Sequence, residues 1–304
     1  MSKQILFLFL LISLFISSCK KEANVIGNNT PPNYAYVPTV TIENYINRLY
    51  LDLLGREPLP AEMAPDLKLL KDSVLSVGAR KIIINRLQND ETFIAGDSSY
   101  SIAYYNRYYS MLKARMLESV EDDFIHEKIG EIQGALAGAI ASGDSAEAGK
   151  IRMQITQMEE LLAVRYDCRN EHIGIDSIYI RLINNNIYDQ INMNTFNFIN
   201  ACFDNMYYRF PTTEEYTTSF NMIEYNQSGA LLGRSGASRN DYLHIVTSSD
   251  EFYQGIVQWV FKSLLARNPT SVEVSRLLPI VRDLHSYKQL QMEVMITDEY
   301  ANFK

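Results

Sequence analysis

The chain has 304 residues, 47% of them hydrophobic, and a formal net charge of −8 at pH 7. A protein this acidic repels the phosphate backbone, so nucleic acid is not expected as a partner. With 20 tyrosines and 13 phenylalanines, the chain has enough apolar and aromatic surface to build one large or two small globular domains.

Residues 1–18 are predicted to be a secretory signal peptide. A single lysine precedes the apolar run ILFLFLLISLFIS, which is too short to span a bilayer. The run leads into Ile-Ser-Ser-Cys, residues 16–19, which resembles the lipobox of bacterial lipoproteins. In that family the signal is cleaved before the cysteine and the thiol carries diacylglycerol, so the resemblance implies lipidation at Cys19 and a membrane anchor. The alternative is an ordinary signal peptide followed by a chance cysteine.

Residues 19–40 are predicted to form a flexible tether, because asparagine, proline, glycine and threonine dominate the stretch and cannot bury a core. The charged residues Lys20, Lys21 and Glu22 resemble the surface-export signal of Bacteroidetes lipoproteins. The expected location is therefore the cell envelope, lipid-anchored at the outer membrane and facing either the periplasm or the cell surface.

Residues 41–99 open on an amphipathic helix that leads into the stretch LDLLGREPLPAE. Its apolar face comprises Ile42, Tyr45, Ile46, Leu49, Tyr50, Leu53 and Leu54. Arg56 falls at the carbonyl end of this helix, where a cation is favourable, and Pro58 cannot continue the helix.

The same pattern recurs twice, which predicts three related units over residues 41–99, 191–254 and 255–304. Aligning the prolines places an arginine two positions earlier and a glutamate four positions later in every copy. The three corners are Arg56, Pro58 and Glu62; Arg209, Pro211 and Glu215; and Arg267, Pro269 and Glu273. Each unit later ends in an apolar run followed by Asp-Glu and an aromatic residue, and this Asp-Glu is predicted to start the next helix.

Each unit is interpreted as helix, tight corner, helix, loop and helix. Thr212 and Thr270 form capping boxes with the glutamates three residues later, whereas unit one has Leu59 at that position. The corner arginines are predicted to tie their units together, either by an ion pair or by capping carbonyls. The alternative, a catalytic pair of charges, is disfavoured because active sites are usually single and structural corners repeat.

The opening RLYLDLLGREPLPAE also carries two resemblances. It is similar to a helical module of bacterial secreted and surface proteins that is distantly like phycobilisome linker repeats. It also resembles the opening of a domain in large planctomycete secreted proteins that often carry cytochrome segments. Unit one matches best, since units two and three have Tyr208 and Ala266 in place of the glycine. The resemblance implies an α-helical secreted module with no assigned reaction, and the chain has no CxxCH for haem.

Residues 100–190 are predicted to be a helical hairpin inserted between units one and two, with its turn at residues 142–145. The hairpin is either a partner-binding arm or a bulky insert. The asparagines at 184–186 break the helical pattern. Cys168 and Cys202 form either a disulfide or two separately buried thiols.

Motifs for catalysis and metal binding are scarce. The four histidines, His126, His172, His244 and His285, lie at no metal-ligand spacing. Glu171, His172 and Cys168 form only a loose cluster, and no nucleophile motif occurs. The chain is therefore expected to be no enzyme and to hold no cofactor or metal.

Two regions are candidate ligand surfaces. Tyrosines at helical i, i+4 spacing form either an exposed sugar-binding platform or part of the core; they are Tyr104, Tyr105, Tyr108 and Tyr109. The Gly- and Ser-rich stretch 229–240 is either a flexible loop or a binding loop in which Arg234 and Arg239 contact an anion.

The sequence as a whole predicts an all-α, repeat-containing domain on a lipid tether. The leading functional expectation is a non-enzymatic envelope lipoprotein that binds a partner protein or scaffolds a surface assembly. The alternative is an accessory lipoprotein that binds a glycan or another polymer.

Overall fold

The computed structural model describes residues 33–93 and 98–303. The predicted signal peptide, Cys19 and the tether up to residue 32 lie outside these ranges. Within them the chain forms 15 α-helices and one two-stranded sheet, which confirms the all-α class. None of the helices in the described part of the chain is long and apolar enough to cross a membrane.

Unit one consists of α1 (Thr39–Leu54), α2 (Pro60–Asp72) and α3 (Val77–Asn89). Helix α1 buries the whole predicted apolar face. It ends at Gly55, whose φ of 75° lies in the left-handed region that glycine adopts without steric cost. Proline at the first position of α2 fits there because that residue's N–H has no partner within a helix.

The insert contains five helices rather than one hairpin. They are α4 (Tyr100–Met116), α5 (Asp122–Ser142), α6 (Ser145–Arg169), α7 (Ile175–Ile183) and α8 (Asn186–Asn192). The predicted hairpin is α5 and α6, but its first arm is shorter than expected because Glu118 and Ser119 are left-handed and end α4. The asparagine cluster separates α7 from α8 as the sequence indicated, and the Asn185 side chain caps α8.

Units two and three follow as a continuous series of elements. They are α9 (Thr195–Tyr207), α10 (Thr213–Tyr225), β1 (Gly229–Leu231), β2 (Arg234–Gly236), α11 (Arg239–Val246), α12 (Asp250–Leu265), α13 (Ser271–Arg282), α14 (Tyr287–Met295) and α15 (Asp298–Ala301). The stretch expected to be a loop is an antiparallel hairpin, with Gly229 opposite Gly236. Its two turn residues, Leu232 and Gly233, both have positive φ, as a type I′ hairpin turn requires.

Helix α12 joins units two and three. It runs across the predicted boundary between residues 254 and 255, so both units share it. At Gly255 it approaches α9 so closely that a Cβ atom would lie 1.8 Å from the Met206 carbonyl oxygen. Only glycine permits this backbone contact.

Units one and three also meet directly. The fully buried Arg80 on α3 donates through Nη1 to the Ile296 carbonyl at 2.6 Å and to Asp298 Oδ1 at 2.7 Å. The Tyr300 hydroxyl donates to Asp52 Oδ2 on α1 at 2.7 Å. The beginning and the end of the helical domain are therefore held together by charged and phenolic groups.

Candidate functional site

Each of the three corners has the same pattern of hydrogen bonds. In unit two, Arg209 donates through Nη1 to Glu215 Oε2 at 2.8 Å and through Nη2 to Glu215 Oε1 at 2.7 Å. Its Nη1 also donates to the Phe210 carbonyl at 3.1 Å. Arg56 and Arg267 make the same three bonds. The ion pair is present in every corner, whereas the carbonyl that each arginine contacts belongs to the residue after it and lies beyond the end of the helix.

The corner glutamates also begin the following helix. Glu215 Oε2 accepts from the Thr212 N–H at 2.7 Å, and the Thr212 hydroxyl accepts from the Glu215 N–H at 3.2 Å. Unit three has the same capping box. Leu59 has no side-chain acceptor, so unit one keeps only the glutamate half, with the Leu59 N–H donating to Glu62 Oε2 at 2.6 Å.

In units two and three the corner arginine binds a second carboxylate, which comes from the Asp-Glu that closes the repeat. Arg209 donates through Nε and Nη2 to Glu251 in the first turn of α12, at 2.5 and 2.8 Å. Arg267 makes the equivalent bonds to Glu299 in α15, at 2.6 and 2.7 Å. The two ends of the repeat, recognised separately in the sequence, are therefore partners in space.

Unit one differs in where its closing Asp-Glu lies. Its Asp90 and Glu91 follow the end of α3 and are not helical, and the next helix among the described residues begins at Tyr100, so the prediction that Asp90 and Glu91 start a helix is wrong. The Tyr100 hydroxyl reaches this corner and donates to Glu62 Oε1 at 2.9 Å.

The corner carboxylates are held in the ionised state. The hydrogen bonds from Arg267 lower the pKa of Glu273 to about 2, and Arg209 lowers the pKa of Glu215 in the same way. Burial opposes ionisation of Glu62, but Arg56, the Leu59 N–H and Tyr100 together lower its pKa. Carboxylates whose oxygens are already engaged by arginine and backbone donors build the framework and are poorly suited to proton transfer.

The predicted tyrosine platform is not exposed. Tyr104, Tyr105, Tyr108 and Tyr109 are all buried on α4, so the core-packing alternative describes them. Tyr104 donates to Gln291 Oε1 at 2.6 Å and stacks on Tyr108, which in turn stacks on Tyr287 at 4.5 Å between ring centroids.

The remaining predicted site residues are separate from one another. Arg234 donates to Ser248 Oγ at 2.6 Å, whereas Arg239 donates to Asp189 Oδ1 at 2.6 Å and covers the Phe198 ring. The two arginines therefore have different partners and form no common anion site. Cys168 and Cys202 are buried free thiols rather than a disulfide, because they pack in different parts of the core.

A cleft of about 420 Å³ gathers residues that the sequence had assigned to two different clusters. It lies between α4, the turn that joins α6 to α7 and the turn that joins α13 to α14. Its lining includes Tyr104, Tyr105, Tyr108, Cys168, Glu171 and His172. Sequence reasoning missed the other side, which is formed by His285, Ser286, Tyr287 and Lys288. No group of three metal-ligating side chains occurs among the described residues, this cleft included.

A second surface that sequence reasoning missed is a row of partly exposed aromatic rings, here called the aromatic strip. It consists of Phe196 on α9 and Tyr216, Phe220 and Tyr225 on α10. Successive ring centroids are 5.4, 5.9 and 5.9 Å apart, and the end residues Phe196 and Tyr225 are 56% and 67% exposed. The sequence signal was the helical spacing of the aromatic residues on α10, but this spacing is the same whether that face of the helix is buried or exposed.

Comparison with known proteins adds no relative, since no family model, no curated protein and no solved structure matches the chain.

Proposed function

We propose that this protein is a lipid-anchored lipoprotein of the cell envelope, which binds another protein through the aromatic strip and catalyses no reaction. The lipobox-like sequence before Cys19 supports the anchor. The aromatic strip carries the binding proposal, because contiguous exposed aromatic rings are uncommon on a monomer surface and mark interaction sites.

The composition around the strip favours a protein partner. Aromatic enrichment with few charges at the centre is typical of protein interfaces. The segment 195–225 holds four acidic residues, Asp204, Glu214, Glu215 and Glu224, against the single basic residue Arg209, so its net charge is 1 − 4 = −3. The partner that fits this surface has an apolar or aromatic patch rimmed by lysine or arginine.

The geometry of the rings disfavours a sugar. Phe196 and Tyr216 are inclined at 63°, and Phe220 and Tyr225 at 75°. Sugar rings stack best on flat aromatic faces, whereas these rings present a mixture of faces and edges. An irregular protein surface fits such a strip better than an extended glycan does.

The decisive experiment identifies the partner and then removes the strip. The intact lipoprotein is crosslinked in its own envelope, the partner is identified and purified, and binding to it is measured at increasing salt concentration. The double variant Phe196→Ser/Tyr225→Ser removes the two most exposed rings of the strip and should weaken binding more than about tenfold, as loss of aromatic anchors at an interface does. The control Tyr166→Ser changes a ring on α6 that is 52% exposed, close to Phe196, and should leave binding intact.

Three outcomes would overturn the protein-docking proposal. The strip variant could bind the identified partner as tightly as the wild type, binding could be insensitive to salt, or a glycan array could show strip-dependent sugar binding. Salt sensitivity is expected because opposite charges at an interface rim are screened.

The anchor is tested independently. Cys19→Ser should move the protein from the membrane fraction to the soluble fraction, and mass spectrometry of the wild-type N-terminal peptide should show the mass of diacylglycerol on Cys19. Unmodified Cys19 in the wild type would contradict the anchor and leave the strip experiment unaffected.

A further inference from the structure

Met193 is a highly exposed apolar residue beside the aromatic strip. It lies in the turn between α8 and α9, three residues before Phe196, and its side chain is 77% exposed. Among the large hydrophobic side chains of the described residues, only Tyr36 is more exposed. A single exposed methionine needs no explanation by itself, but this one is held in an unusual backbone conformation.

The backbone of Met193 is both strained and fixed. Its φ of 64° and ψ of −32° lie outside the regions that a methionine normally adopts. The Asn194 N–H donates to the Asn192 carbonyl at 2.7 Å, which closes a three-residue turn around Met193. The Met193 N–H donates to the Asp189 carbonyl at 2.8 Å. On the other side, Asn194 Oδ1 accepts from the Asn197 N–H at 2.9 Å.

The chain itself gains little from this side chain. Met193 precedes the N-cap of α9, where an apolar residue often packs against the fourth residue of the helix, here Phe198. Phe198 is buried, yet most of Met193 remains exposed, so this contact uses only a small part of the methionine. Glycine or asparagine would adopt the same backbone conformation with less strain. The strained position therefore presents an apolar side chain that is free to contact another molecule.

Met193 lies within reach of an interface over the aromatic strip. A standard interface buries about 800 Å² on each partner, which corresponds to a patch about 30 Å across. Three residues of chain span at most about 11 Å, so the Cα atoms of Met193 and Phe196 are no farther apart than that. The Thr195 hydroxyl also donates to Glu224, which ties this end of α9 to the end of α10 that carries Tyr225.

The surroundings of Met193 favour an apolar contact. The nearest charged groups, Asp189 and Arg239, line one small cavity with Met193 and are paired with each other at 2.6 Å. Neither of them therefore requires a charge from the partner at this point. A methionine side chain is unbranched, adapts to irregular surfaces and makes favourable contacts between its sulfur and aromatic rings.

We infer that Met193 is an anchor of the protein-docking surface, and that the partner carries an apolar or aromatic socket that receives it. This inference rests on the proposed function, because the partner is the protein that binds the aromatic strip. The fixed turn supports the role, since an anchor whose backbone is already ordered loses little conformational freedom on binding.

The test measures binding of the purified crosslinked partner to the full lipoprotein in lipid nanodiscs, with empty nanodiscs as the blank. Met193→Gly removes the side chain and relieves the backbone. It should weaken binding at least about fivefold while raising Tm by about 2 °C. Met193→Leu keeps an apolar side chain of similar size and should bind within about twofold of the wild type.

Val74→Gly is the matched control. Val74 is 64% exposed and has a φ of 52°, but it lies between α2 and α3 in unit one. Its replacement by glycine should raise Tm in the same way and leave binding of the partner unchanged. The control thus separates relief of backbone strain from loss of a contact.

The inference is overturned if Met193→Gly binds the partner as tightly as the wild type while the strip variant Phe196→Ser/Tyr225→Ser binds it more weakly. The proposed function would then stand without it. Weakening of equal size in Val74→Gly or in Met193→Leu would also overturn it, because the effect would not depend on an apolar side chain at this position. Undiminished binding of the strip variant would instead contradict the proposed function, and this inference with it.

Discussion

The first and third corners contain the same arginine and glutamate in different surroundings. In the first corner the ion pair is largely buried, since the side chains of Arg56 and Glu62 are 25% and 6% exposed. In the third corner the values are 33% for Arg267 and 24% for Glu273. The first corner receives the Tyr100 hydroxyl, and the third receives a threonine cap and the Glu299 carboxylate.

The same arginine–glutamate pair is therefore supported by different neighbouring groups in the two corners. All three corners need a left-handed residue before the arginine, and the chain uses Gly55, Tyr208 and Ala266 there. Glycine carries little cost at this position, whereas the other two residues are strained. Unit one thus has the better helix ending and the poorer helix start, and unit three has the reverse.

The largest expected difference between the corners follows from loss of the arginine. Arg56→Met leaves the nearly buried Glu62 carboxylate without its guanidinium partner and should lower the free energy of unfolding by about 3 kcal/mol. Arg267→Met removes two more exposed ion pairs, to Glu273 and Glu299, and should cost about 1 kcal/mol. Urea denaturation followed by circular dichroism measures both. Equal losses in the two variants would contradict the role assigned to burial.

Exchanging the helix-ending residues should reduce the difference between the two corners in their contribution to stability. Ala266→Gly relieves a left-handed alanine with φ of 53° and should stabilise the protein by about 1 kcal/mol. Gly55→Ala introduces the left-handed strain and also places a Cβ 3.2 Å from Arg107 Cδ, so it should destabilise the protein by at least about 1 kcal/mol. Thermal unfolding gives both shifts. A loss of stability in Ala266→Gly would show that the left-handed conformation is not maintained in solution.

Completing the helix start of unit one should give a smaller gain. Leu59→Thr supplies the missing acceptor of the capping box and should add about 0.5 kcal/mol, whereas Thr270→Ala should remove about 1 kcal/mol. Chemical denaturation compares the two. If Leu59→Thr is neutral while Thr270→Ala is destabilising, the Glu62 contact alone is sufficient to begin α2.

The smallest effect is expected in the acid dependence of stability. The pKa of Glu273 is about 2 in the folded protein and near 4.5 when unfolded, so its contribution is present above pH 4.5 and is lost as the pH falls towards 2. In Arg267→Met the folded pKa returns towards the ordinary value, so this variant should lose less stability between pH 5 and about pH 3. Parallel acid-limb slopes for wild type and variant would contradict the pairing.

The repeat could be predicted from local sequence rules because the residues that define each corner lie close together in the chain. Arginine, proline and glutamate within seven residues specify where one helix ends and the next begins, and the apolar spacing of α1 identifies its buried face. The break after Met116 was missed because it depends on the left-handed Glu118 and Ser119, which carry no turn motif in the sequence.

The cleft could be anticipated only in part. Tyr104 was noticed in one cluster and Cys168 with His172 in another, but Tyr287 and Lys288 reach them through the packing of unit three against the insert. Arg80 shows the same limit, because nothing local indicates that this arginine is fully buried against a carbonyl 216 residues away.

The helix that units two and three share restricts how this chain can change in length during evolution. Deleting unit three at residue 254 would cut α12 shortly after its first turn and would remove the glycine on which α9 rests. A viable duplication must instead run from the middle of one such helix to the middle of the next, so that every junction recreates a whole helix. A copy of this unit can therefore be gained or lost only as a segment that begins and ends inside a helix, and not as a separate domain added at one end of the chain.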